Sequence, residues 1–163
     1  MIIERDIMVP ARDGVGLATD IYRPAEGGPF PVILERTPYD KSAAARSDRT
    51  LGAAGPRSRA EVAAYFAAHG YAVGYQDCRG RYRSEGRFTK YLSEAEDGCD
   101  TLAWLVAQPW CNGRVATMGL SYAAHTQMAL GALDPPGLAA QFVDCGGFSN
   151  AYRSGTGMAA RSI

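Results

Sequence analysis

No charge of either sign predominates: 17 Lys and Arg balance 17 Asp and Glu, for a formal net charge of zero. The chain therefore lacks the global field that gathers nucleic acid or an anionic membrane surface, and a small-molecule or protein partner is favoured. Cysteine is scarce, four residues at Cys78, Cys99, Cys111 and Cys145. With no CxxC pair among them, a zinc knuckle and a dithiol redox centre are excluded, and reduced, mostly buried thiols are expected. No run of about 18 apolar residues offers a membrane span. Glu4, Arg5 and Asp6 break "MIIERDIMVP" where a secretory leader needs an unbroken apolar stretch, so a cytoplasmic protein with no membrane partner is expected. No GxGxxG follows the first strand, and "GVGLAT" lies inside a hairpin, which argues against a dinucleotide site. The basic stretch "CRGRYRSEGR" has no wider basic surface to support nucleic-acid binding. No cofactor or metal is implied. Histidine is the scarcest group, with two residues, His69 and His125.

What is present is enough for one domain with a core, since a chain of 163 residues buries roughly two thirds of its unfolded surface. In "IIERDIMV" the alternation puts Ile3, Arg5, Ile7 and Val9 on one side. An Asp13, Gly14 turn and "VGLATDIYRP" then complete an antiparallel hairpin. After the breaks in "AEGGPFP", Val32 to about Arg36 reads as a strand that runs into the loop "TPYDK". Residues 42–57 have no period and read as a long surface loop.

Ser58 and Glu61 have capping-box spacing ahead of the helix "VAAYFAAHG", which stops near Gly70. "YAVGYQD" is a buried strand, "CRGRYRSEGRF" a glycine-punctuated loop, and a second capping box, Ser93 with Glu96, opens the helix "EAEDGCDTLAWLVAQ". The strand "RVATM", the helix "YAAHTQMALGAL", the break "DPPG" and the strand "LAAQFVDCG" follow. From the third strand onward strands and helices alternate, which implies a mostly parallel sheet covered on both faces.

"GLSYAAHTQ" places Ser121 at a strand-to-helix turn. A serine held in such a turn projects its Oγ above the sheet, and small flanking residues are needed where strand and helix pass close; Gly119 and Ala123 supply them in a GxSxA version of GxSxG. The amide of Tyr122, first in the new helix, points at a developing oxyanion. A second donor in such sheets comes from the loop after the third strand, where Tyr39 stands. The turn taken alone fits equally a serine that merely caps its helix.

"RDGVGLATDIYRP", "RTPYDK", "QDCRGRYRSEGRF", "EAEDGCDTLAWLVAQPWCNGRV" and "GLSYAAHTQ", in this order, resemble the N-terminal part of the cocaine esterase and X-prolyl dipeptidyl peptidase-like family of α/β-hydrolases. The resemblance covers nearly the whole chain. It implies an α/β-hydrolase-type sheet behind an N-terminal hairpin, with residues 1–163 forming the N-terminal portion of a catalytic domain. It also implies that Ser121 is the nucleophile and that the Tyr39 hydroxyl and the Tyr122 backbone amide form the oxyanion hole. Asp77, Arg79, Gly80, Ser84 and Gly86 would form a structural loop beside the site, their alternative being a solvated basic turn. The position three after the serine, commonly glycine in the family, is Ala124.

A serine hydroxyl needs a base oriented by a carboxylate. His125 lies one turn along the helix from Ser121 and should point along its flank; His69 falls at a helix end on the opposite face of the sheet and reads as a cap. In such hydrolases acid and histidine follow the serine, so both are expected beyond residue 163. The chain then reads as a fragment ending after about the sixth strand, with an open edge. The expected activity is hydrolysis of a carboxylic ester or X-prolyl amide through an acyl-enzyme, nearly lost in the isolated chain. The alternative is a non-catalytic module paired with a complementary C-terminal chain.

Overall fold

A computed structural model describes residues 1–44 and 55–146. The middle of the expected 42–57 loop and the tail "SNAYRSGTGMAARSI" lie outside the described residues. The chain runs β1 (Ile2–Pro10), β2 (Gly16–Arg23), β3 (Phe30–Thr37), α1 (Arg59–Ala68), β4 (Ala72–Asp77), α2 (Glu94–Val106), β5 (Cys111–Leu120), α3 (Tyr122–Gly131) and β6 (Leu138–Asp144). The strands form one sheet in the order β1-β2-β4-β3-β5-β6. β3, β4, β5 and β6 are parallel, and the β1/β2 hairpin is antiparallel to that block through the β2/β4 pair. This is the mostly parallel sheet that the alternation of elements predicts, behind the N-terminal hairpin that the resemblance implies.

Helices pack on both faces. On one, Leu102 and Leu105 of α2 and Leu130 of α3 meet Val32, Leu34 and Val115 of the sheet. On the other, Ala63 of α1 lies with Tyr22, Val73 and Tyr75. Each of these leucines is at most 1% exposed, and burial of such a side chain contributes about 1.5–3 kcal/mol.

Two local expectations fail. The alternation in β1 does not hold, because a bulge between Glu4 and Ile7 interrupts the pairing with β2. Asp6 takes φ 53° there and its amide bonds to Asp20 Oδ1 at 2.9 Å. Ile7 and Val9 face inward while Ile3 and Arg5 are exposed. The second capping box is also absent: Ser93, at φ −101° and ψ 1°, makes no side-chain cap bond, since a capping hydroxyl needs extended backbone to reach the amides ahead of it. The first box is complete, with Ser58 accepting from the Glu61 amide and the Glu61 carboxylate accepting from that of Ser58.

All four cysteines are free, Cys78 and Cys111 buried, Cys99 half-buried and Cys145 exposed. Among the described residues no helix is long and apolar enough to cross a membrane. β6 lies at the sheet edge with every residue half-buried or exposed, and Phe142 is 71% exposed.

Candidate active site

The turn between β5 and α3 is strained. Ser121 adopts φ 60° and ψ −113°, backbone that a non-glycine residue holds at a cost of about 1–3 kcal/mol. Its amide donates to Asp144 O of β6 at 3.1 Å, and its carbonyl accepts from the amides of Ala124 and His125. The side chain is exposed and makes no cap bond, so the helix-capping alternative is set aside. Close packing explains the small neighbours. Gly119 has φ +147°, and a Cβ there would fall 2.5 Å from Ala123 Cβ. Ala124 is fully buried, and its methyl fits because Gly146 opposite has no Cβ; one would lie 2.5 Å away.

Ser121 and Tyr39 line the same cavity, of about 560 Å³, together with Thr37, Arg59, Tyr82 and Leu120. That volume suits a small-molecule site, for which about 300–1,000 Å³ is usual. Tyr39 is 52% exposed on a loop gripped from three sides. Lys41, 3% exposed, reaches Asp20 at 2.6 Å and Asp6 at 2.7 Å. Arg59 donates to the carbonyls of Asp40 and Ala43, and Arg81 to that of Pro38. Burial works against the Lys41 charge, but hydrogen bonds to Asp20 and Asp6 outweigh it and raise its pKa.

The loop after β4 braces this arrangement from below. Asp77 is fully buried and accepts from the amides of Lys41 and Arg83. Burial pushes its carboxyl above the usual range, against those two bonds. Ser84 donates to Asp77 O at 2.6 Å and accepts from the Ala18 amide. Arg79 bridges Asp97 and Asp13. Gly80 and Gly86 have φ 65° and 83°, and at Gly80 a Cβ would fall 2.1 Å from Phe88 N. Asp77, Arg79, Gly80, Ser84 and Gly86 are thus held by bonds and close contacts, most of them to other elements, as a structural loop would be, while Tyr82, Arg83, Glu85 and Arg87 of the same stretch are exposed.

Behind the elbow lies a buried polar chain that sequence reasoning missed. The Tyr122 phenol donates to Glu94 Oε1 at 2.9 Å and accepts from the Tyr91 amide at 2.9 Å. Arg36 Nη1 donates to Glu94 O and its Nε to Gln76 Oε1, while Nη2 stands 3.2 Å from Glu94 Oε2. Burial first, then the Glu94 charge, push the Tyr122 phenol pKa upward. The available signal was Glu35 and Arg36 ending the apolar run "VILER", charges where the sheet centre admits only paired ones.

Neither histidine hydrogen-bonds the serine hydroxyl, and His125 Nε2 is buried without a hydrogen bond. His125 packs against Tyr91 and Tyr122, ring centroids 4.4 and 5.7 Å away, and burial lowers its pKa. His69 caps α1, with Nδ1 2.7 Å from Tyr65 O. It precedes the N-terminal end of β4, whereas Ser121 follows the C-terminal end of β5, and both strands run parallel to β3. Among the described residues no group of three or more His, Cys, Asp or Glu is placed to hold a metal ion.

Residues 13–161 match the family described as X-Pro dipeptidyl-peptidase (S15 family). The chain is 41% identical over 129 residues to the cocaine esterase of Rhodococcus sp. (strain MB1 Bresler), across 77% of this chain and 20% of that protein. It is similar in structure to a CocE/NonD family hydrolase from Staphylococcus aureus, with TM-score 0.81 and 32% identity over 94% of this chain and 29% of that one. An aminopeptidase from a marine sediment archaeon, Thaumarchaeota archaeon, superposes with TM-score 0.71 and 31% identity over 90% of this chain and 25% of that one. The chain thus spans about a fifth of the length of the curated relative.

Proposed function

The chain belongs to the X-Pro dipeptidyl-peptidase (S15) family, and from that premise we propose that it carries the nucleophile and oxyanion hole of a serine hydrolase acting on carboxylic esters or X-prolyl amides. The observation that carries this reading is the exposed Ser121 at φ 60°, ψ −113°, sharing a cavity with Tyr39. Ser121 Oγ attacks the acyl carbonyl. The Tyr39 hydroxyl and the Tyr122 amide, one of the N–H groups an α-helix cannot satisfy internally, receive the oxyanion. The leaving group departs as the acyl-enzyme forms.

Neither His69 nor His125 takes the serine proton in this scheme, so in residues 1–163 alone it passes to water. Loss of the base costs several orders of magnitude in rate, leaving what oxyanion stabilisation and binding supply. The test is acylation of the chain by p-nitrophenyl acetate, followed by nitrophenolate release and by peptide mass mapping. We expect one slow equivalent of acyl group on Ser121, negligible turnover, and no such adduct in Ser121→Ala. An unchanged adduct in that variant would refute the assignment; enzyme-like turnover dependent on Ser121 would refute the absence of a base.

A second reading, a non-catalytic module that pairs with another chain, is favoured by β6 being an edge strand among the described residues, with Phe142 and Val143 exposed. It predicts that Ser121→Ala changes nothing in the same assay.

A further inference from the structure

Building on the proposed roles of Ser121 and the Tyr122 amide, we infer that Glu94 is a positioning residue for the oxyanion hole, which sets the Tyr122 backbone N–H through the phenol of that same residue. The peptide carrying this N–H is oriented on its carbonyl side by bonds from Ala124 N and His125 N. Those bonds fix it relative to α3, and one peptide back the Ser121 amide is held by Asp144 O of β6. Further along α3, Gln127 is tied to Gly119 O and Thr117, and Thr126 to Arg36 O. In the first turn, Tyr122 makes the tie. Its phenol bonds to Glu94, the first residue of α2, and to the Tyr91 amide, while its ring stacks on Tyr91 with centroids 5.1 Å apart and planes at 15°.

The Glu94 carboxylate is poorly explained as a stabilising group. It is 1% exposed, and a buried ion pair is often no better for stability than apolar residues of the same volume. Its pairing with Arg36 Nη2 at 3.2 Å lies outside hydrogen-bond geometry, leaving Oε2 and Nη2 without a hydrogen bond. Oε1 accepts from Tyr122, and the Cys78 thiol also lies against the carboxylate. Arg36 in turn ties Glu94 to Gln76 of β4. A rigid line therefore runs from the sheet centre through Arg36, Glu94 and the phenol to the N–H that faces the reacting carbonyl. An error of about 1 Å in such a donor costs up to roughly a hundredfold in rate.

The test is single-turnover acylation of the full chain by p-nitrophenyl acetate at varied ester concentration, with unfolding curves for every variant. Tyr122→Phe keeps both the backbone amide and the stacked ring, and removes the tether to Glu94 together with the acceptor of the Tyr91 amide. It should lower the limiting acylation rate constant about tenfold with the half-saturating ester concentration unchanged. Glu94→Asp, which keeps the charge facing Arg36 but falls short of the phenol, should lose as much. Glu94→Gln keeps the length but sets an NH2 group against either Arg36 Nη2 or the phenol, so it should also slow acylation, and by much less in the Tyr122→Phe background, where the tether is already gone. A folded Tyr122→Phe or Glu94→Asp that acylates like the parent overturns the inference, as does a Glu94→Gln loss of equal size in the parent and Tyr122→Phe backgrounds. If instead Ser121→Ala acylates as the parent does, the nucleophile assignment is what fails, and this inference falls with it.

Discussion

Replacing Gly119 by Ala tests whether the elbow is as tight as its geometry requires. An added Cβ would sit 2.5 Å from Ala123 Cβ, and the backbone at φ +147° is one that side chains rarely adopt. The conformational part costs about 1–3 kcal/mol and the overpacking about 1–3 kcal/mol. Together they take about 2–6 kcal/mol from a total stability on the order of 5–15 kcal/mol. Urea unfolding followed by the fluorescence of Trp104 and Trp110 reads the loss as a lower midpoint at unchanged slope. The two contributions separate in the double variant Gly119→Ala, Ala123→Gly. Removing the Ala123 methyl leaves that residue's backbone at 3.3 Å as the next contact, so the overpacking share returns, less about 1 kcal/mol for glycine inside a helix. A Gly119→Ala chain within about 1 kcal/mol of the parent, below the low end of the strain range, would refute the reasoning.

Tyr39→Phe removes a phenol from an exposed ring, so it should leave stability unchanged while slowing Ser121 acylation about 10²–10³-fold; equal acylation rates would remove Tyr39 from the oxyanion hole. Lys41→Met strands the buried Asp20 carboxylate and should cost about 3–5 kcal/mol, with much of it recovered in Lys41→Met, Asp20→Asn; no recovery would mean the lysine matters for packing and not for charge. Burial lowers the His125 pKa below 6.5, against the raising effect of Glu94. The unfolded chain therefore binds the proton first, and this contribution to stability is present above pH 6.5 and is lost as pH falls through the folded-state value. Comparing melting temperatures of the parent and His125→Gln across that interval should show the shallower decline in the variant, and parallel curves would contradict it.

The order of elements was legible because each step leaves a mark in the sequence: alternating or continuous apolar strands, a serine and glutamate at capping distance, glycine and proline at the breaks. The serine turn was legible for the same reason, since Gly119 and Ala123 record a close approach. What escaped depends on partners far along the chain. The bulge at Asp6 is held by Asp20, fourteen residues away, so period counting within β1 could not find it. Ser93 and Glu96 have the spacing of a box, yet the backbone ahead of α2 is folded the wrong way for Ser93 to reach the helix amides. Tyr122 was read for its amide alone, because nothing local ties its phenol to Glu94, 28 residues upstream. His125 was placed along the helix flank from one turn of geometry, and its contacts with Tyr91 and Tyr122 agree.

The grip on the Tyr39 loop is applied to main-chain oxygens: Arg81 holds that of Pro38, and Arg59 those of Asp40 and Ala43. Carbonyls are the same whatever side chain they carry. The side chains of Ala43 and Ala44, two of the residues lining the chamber, take no part in that grip. The shape of the chamber and the seat of the phenol are thus set by different atoms, so the first can be altered without moving the second.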